Sequence, residues 1–123
     1  TCLAALERGH PGEPARNDSK GCGTVMRTAP VGLLPHAGTG GEALAREGIF
    51  RLALEVAALT HGHPTGQLPA GVLAAAIHAI ACEGRSLPEA LDAATAGAEG
   101  LSPRRPADRL GTCFQLATRS SRS

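Results

Sequence analysis

Ser19-Lys20-Gly21-Cys22-Gly23 is the first place in this chain of 123 residues where residue type and spacing suggest chemistry. Two glycines bracketing one residue let the backbone turn tightly and aim several N–H groups in one direction. At the start of a helix such donors, with the helix dipole behind them, favour an anion such as phosphate. Lys20 adds positive charge. The spacing is neither GxxxxGK[ST] nor a GxGxxG that follows a strand. Taken alone, the segment reads first as a simple turn.

The second place is His61-Gly62-His63. A His-x-His pair is able to bind metal, but no third ligand lies nearby in sequence, and His10, His36 and His78 are scattered. A polar helix end is the plainer reading. Nucleophilic catalysis finds little support: there is no GxSxG elbow, and Cys22 is notable only for standing at a helix start. A small residue fitted to a tight loop explains Cys22 as well. Cys2, Cys22, Cys82 and Cys113 form no CxxC pair, so neither a zinc site nor a stapled secreted scaffold is indicated.

The elements that must position these loops are helical. Residues 1–8 favour helix, and Gly9, Pro11, Gly12 and Pro14 make 9–18 a loop. A helix is expected from Gly23 or Thr24, kinked or shortened by Pro30 before Leu34. After a turn at Gly38–Gly41, Glu42–Leu59 carries Ile49, Leu52, Ala53, Val56 and Leu59 at helical spacing. Phe50 and Leu54 widen that stripe to a second side. The spacing predicts a further helix from Pro69 to about Cys82, with Val72, Leu73, Ala76, Ile77 and Ile80 as its stripe and Gly84 as its cap. Ser86 and Glu89 form a capping box that opens a last helix through about Ala98. The helices Glu42–Leu59 and Pro69–Cys82 are expected to pack on each other.

Composition agrees. Ala, Leu, Val and Ile supply nearly all the apolar residues, with two Phe, no Tyr and no Trp. That balance suits close-packed helices better than a sheet sandwich, so the fold class is all-α. A net charge of +1 and the scarcity of aromatics argue against nucleic acid or an anionic membrane as partner. Nothing resembles a signal peptide or a spanning segment, which makes a cytoplasmic protein with free thiols the expectation. The end, from Pro103, has five Arg against the single Asp108 and reads as solvated.

Together the two loops are far more specific than either alone. The run Asn17 to Leu33 resembles the S-x-G-x-G-x-x-M-R-x-A-P-x-G signature of the ADP-ribosylglycohydrolase family. Thr60-His61-Gly62-His63-Pro64-Thr65-Gly66 is similar to its second signature, the helix-ending T-H-x-x-P-x-G. The resemblance implies a compact all-α fold, two Mg²⁺ ions in a central cleft, and hydrolysis of ADP-ribose from modified side chains or related compounds at the ribose C1″. It implies that Ser19, Lys20, Gly21, Cys22, Gly23 and Thr24 lie against the diphosphate and adjoining ribose, with His61 close to the same ligand. Met26 and Arg27 then hold the loop in place. The loop and His61 are expected to border one cavity, and His78 to lie outside it.

The departures from the family matter too. The family holds its metals with a Thr-Asp-Asp sequence before this region and an Asp-x-Asp-Thr sequence after it. The eleven acids here include no adjacent pair and no Asp-x-Asp. Arg109-Leu110-Gly111-Thr112 is similar to the family's R-L-G-x-G-W, and Cys113-Phe114-Gln115-Leu116 leaves the pattern. The expectation is therefore a helical bundle fragment over 1–112 with an unstructured or aberrant tail over 113–123. It carries part of an ADP-ribose pocket but none of the catalytic metal ligands. The alternative is a non-catalytic ADP-ribose or nucleotide-binding helical module.

Overall fold

A computed structural model describes residues 2–34 and 46–99. The expected turn at Gly38–Gly41, the expected helix start at Glu42 and the 113–123 tail lie outside the described residues. Those residues form five helices and no strand: α1 (Cys2–Arg8), α2 (Gly23–Leu33), α3 (Arg46–Ala58), α4 (Pro64–Ala81) and α5 (Leu87–Glu99). The protein is all-α, as its composition implies.

Each boundary has a local cause. Pro30 is exposed in α2, and the helix runs past it to Leu33 before Leu34 returns its N–H to the Val31 carbonyl. The missing proline donor costs one bond on a solvent face and does not stop the helix. α4 begins five residues before the Pro69 start expected from sequence. Pro64 occupies its first turn, where an absent N–H leaves nothing unsatisfied, and the His63 side chain caps it by accepting from the Thr65 amide at 3.1 Å. Pro69 is thus interior to the helix. At the far end Gly84, at φ +67°, lets the Arg85 amide reach back to the Ala79 carbonyl at 3.1 Å. The Ser86–Glu89 box opens α5 as expected: the Glu89 carboxylate accepts from the Ser86 amide at 3.0 Å and from its hydroxyl at 2.8 Å. Those bonds, the backbone one first, hold the Glu89 pKa below the usual glutamate range.

α4 is the central helix, with α2, α3 and α5 packed on it. Its buried face is not the stripe of large aliphatics expected from sequence. Ala70, Gly71, Ala74, Ala75, Ala76 and Ala79 are buried, while Val72, Leu73 and Ile77 lie at the margins and Ile80 is exposed. Small residues let neighbouring helices come close. Phe50 of α3 fills the space above Gly71, where an added Cβ would stand 2.9 Å from the ring. α3 is buried on two sides through Ile49, Phe50, Ala53 and Leu54, as its double stripe implies.

α2 and α4 lie side by side in the same direction. Thr24 donates to the Gly66 carbonyl at 2.5 Å, Thr28 donates to the Ala70 carbonyl at 3.5 Å, and a Cβ on Gly32 would stand 2.6 Å from the Ala74 carbonyl oxygen. Each step along α2 by one turn matches one turn along α4. This seam of Thr24, Thr28 and Gly32 against Gly66, Ala70 and Ala74 brings the starts of both helices to the same end of the bundle. The α3–α4 connection lies at that end too.

Candidate functional site

The segment that leads into α2 is tied down on the connection between α3 and α4. The Ala15 amide donates to the Ala58 carbonyl at 2.8 Å. The Asn17 side-chain amide donates to the Thr60 carbonyl at 2.9 Å, and its oxygen accepts from the Gly62 amide at 2.9 Å and the Ser19 amide at 3.1 Å. The last of these is an Asx-type turn, which sets the direction in which the chain enters the glycine loop. Gly62 must be glycine here, because a Cβ would fall 1.9 Å from the Asn17 carbonyl oxygen.

Beneath the loop sits His61, 2 % exposed. A Cβ added to Gly21 would lie 3.3 Å from its Nε2, and one added to Gly23 would lie 3.5 Å from its Cε1. The two glycines are thus the points at which the loop passes over the imidazole. His61 Nδ1 and the Thr60 hydroxyl are hydrogen-bonded at 2.8 Å, and the His61 carbonyl accepts from the Gln67 side chain at 2.6 Å. Arg27 reaches across from α2, donating to the Val56 carbonyl at 3.1 Å, to the Thr60 hydroxyl, and to Cys2 Sγ at 3.5 Å. Burial first, and then the Arg27 charge, lower the His61 pKa below its ordinary 6.5. That shift favours the uncharged ring.

Each sequence-predicted site residue can now be placed. Lys20, Gly21 and Cys22 are exposed, and Ser19 and Gly23 are half-buried. Cys22 stands at the N-cap of α2 and makes no side-chain cap bond. Its thiol leaves the first-turn amides without the partner that a Ser or Asp cap would supply. Thr24 is fully buried, its hydroxyl committed to the Gly66 carbonyl. The loop and His61 do meet, with Gly21 and Gly23 against the imidazole. A cavity of about 260 Å³ between α1 and the 9–19 loop is lined by Arg8, His10, Arg16, Asn17 and Ser19, and not by His61, which the loop covers. His78 lies far along α4, 5 % exposed, with Nδ1 unbonded among the described residues.

Among the described residues the donor sets do not suit a divalent metal. No group of three or more His, Cys, Asp or Glu comes together among the described residues. His61 and His63 each use Nδ1 in a local bond, and Asp18, the acid beside His63, is 82 % exposed and 3.8 Å from its Nε2. Among the described residues no set of ligands fits the two Mg²⁺ ions that the resemblance implies. No described helix is long and apolar enough to cross a membrane.

Thr60 and Gly66 entered the sequence reading only as positions of the second signature, and Asn17 and Gly62 with no role, yet all four build the site. An Asn two residues before the loop is an Asx-turn signal that was there to be read. The closeness of Gly62 to Asn17 had no local signal, because it joins segments far apart in the chain.

The family model described as ADP-ribosylglycohydrolase matches residues 1–122. No curated protein and no solved structure matches the chain.

Proposed function

Because the chain belongs to the ADP-ribosylglycohydrolase family, we propose that its Ser19–Thr24 loop and His61 form part of the ADP-ribose pocket of an enzyme that hydrolyses ADP-ribosyl bonds. The observation that supports this most is the loop itself. Gly21 and Gly23 flank an α2 start that no cap side chain occupies, and both lie against the His61 imidazole. The amide of Gly23, half-buried at the start of α2 and backed by the helix dipole, suits the diphosphate of ADP-ribose. Lys20 supplies mobile positive charge at the rim. His61 backs the loop from beneath, its Nε2 on the side of Gly21.

The ligand is ADP-ribose, free or attached to protein. Cleavage at the ribose C1″ is the family's chemistry; bound Mg²⁺ would supply orientation of the ribose hydroxyls and of a water. The residues described here bind and orient, and none of them is assigned a proton transfer. A second reading, a binding module without turnover, is favoured by one observation, the lack of clustered acids among the described residues.

Calorimetric titration with ADP-ribose tests the pocket. A hydrogen bond to a charged group contributes about 1.5–3 kcal/mol, so His61→Ala should weaken binding by about tenfold or more. His78→Ala, remote from the loop, should leave the affinity within about twofold. Equal affinities for His61→Ala and the unsubstituted chain would remove His61 from the pocket.

A further inference from the structure

We infer that Arg27, acting through Thr60, holds His61 as the neutral imidazole protonated on Nε2, so that the ring offers a hydrogen-bond donor to an acceptor oxygen in the glycine loop. The ligand half of this inference rests on the pocket reading above; the tautomer does not.

The argument follows the protons. Arg27 is a pure donor, and one of its guanidinium nitrogens donates to the Thr60 hydroxyl oxygen. The hydroxyl has one proton of its own, and it must point away from Arg27. The other hydrogen bond of Thr60 Oγ1 among the described residues joins it to His61 Nδ1 at 2.8 Å. Thr60 is 3 % exposed, and His61 Nδ1 is the acceptor placed to take that proton. The consistent arrangement is Arg27 donating to Thr60 and Thr60 donating to His61. Nδ1 then accepts, and the neutral ring carries its hydrogen on Nε2.

The opposite tautomer would aim two donors at the Thr60 oxygen and leave its proton buried without an acceptor. An imidazolium would place a second cation beside Arg27 in a site that already disfavours charge.

Nε2 is the ring atom nearest Gly21, 3.3 Å from where its Cβ would be, and it lies 3.8 Å from the corresponding point on Gly23. A donor there selects a phosphate or hydroxyl oxygen. It rejects a metal ion, which needs the Nε2 lone pair. Arg27 and Thr60 are therefore positioning residues. They set which atom of His61 can hydrogen-bond and in which sense.

Two-bond proton–nitrogen NMR spectra of the ¹⁵N-labelled chain read the tautomer directly. The expected pattern for His61 is that of a ring protonated on Nε2. Thr60→Val keeps the shape and removes the hydroxyl, and should convert the signal to the Nδ1-protonated form or a mixture. Thr60→Ser should restore the original pattern. An Nδ1-protonated ring in the unsubstituted chain, which needs no variant to fold, overturns the inference, as does an unchanged pattern in a folded Thr60→Val. Adding ADP-ribose separates the two readings: an Nε2 signal that shifts on titration supports both, whereas an Nε2-protonated ring that ADP-ribose leaves untouched overturns only the pocket.

Discussion

Gly32→Ala should destabilise the protein, although alanine is the better helix former. In an exposed helix the exchange gains about 1 kcal/mol. Here the new Cβ would stand 2.6 Å from the Ala74 carbonyl oxygen and 2.8 and 2.9 Å from Ile77 Cβ and Cγ2. The first of these is backbone and cannot swing away, so α2 and α4 must part. Overpacking of this kind costs about 1–3 kcal/mol. The Thr28 bond to Ala70, already 3.5 Å long, would be lost as the seam opens, adding about 1 kcal/mol. Set against the propensity gain, the net loss is about 1–3 kcal/mol, or a fall in Tm of roughly 5–15 °C. Gly97→Ala is the control: Gly97 is exposed in α5 and its Cβ would meet nothing within 4 Å. That variant should gain up to about 1 kcal/mol. Thermal unfolding followed by far-UV circular dichroism compares the two. If Gly32→Ala melts at or above the parent, as Gly97→Ala should, the seam is not close-packed and the reasoning fails.

Two further outcomes are expected. The His61 pKa is lowered by burial and by Arg27, so the unfolded chain gains a proton there that the folded chain refuses as pH falls through 6.5. Stability should therefore fall on acidification and recover above that pH. Urea midpoints at about pH 8 and about pH 5.5 should differ in that direction, and the difference should shrink in His61→Gln; an equal difference would assign the effect to other groups. The chain should also show no Mg²⁺-dependent release of ADP-ribose from modified protein, since hard cations need several oxygen ligands and no acid cluster is described. Metal-dependent turnover by the purified chain would refute that reading.

Most of the helices were legible because their signals are local. The Ser86–Glu89 box, Gly84 and the Gly23 start all act within a few residues. α4 was misjudged at its front because either Pro64 or Pro69 can fill a first turn, and only the His63 cap decides between them. Its buried face was misjudged because periodicity gives weight to Val72, Ile77 and Ile80, whereas close helix packing prefers alanine. The meeting of His61 with the glycine loop was anticipated through the family resemblance and not from physics alone. What no pattern announces is the seam: Thr24, Thr28 and Gly32 look like unremarkable small residues until Gly66, Ala70 and Ala74 are set beside them.

The parallel course of α2 and α4 has an electrostatic consequence. Helices in antiparallel neighbours cancel each other's end charges, but these two expose their positive ends together, each equivalent to about half an elementary charge. α3 brings its negative end to the same place, and there the Arg27 guanidinium rests on the Val56 carbonyl. One adverse pole is thus offset by a fixed cation while two favourable poles remain. The region around Gly23 and Pro64 is positive by architecture, even without Lys20. Because backbone poles cannot swing away as a lysine does, that potential is fixed in place before any anion arrives.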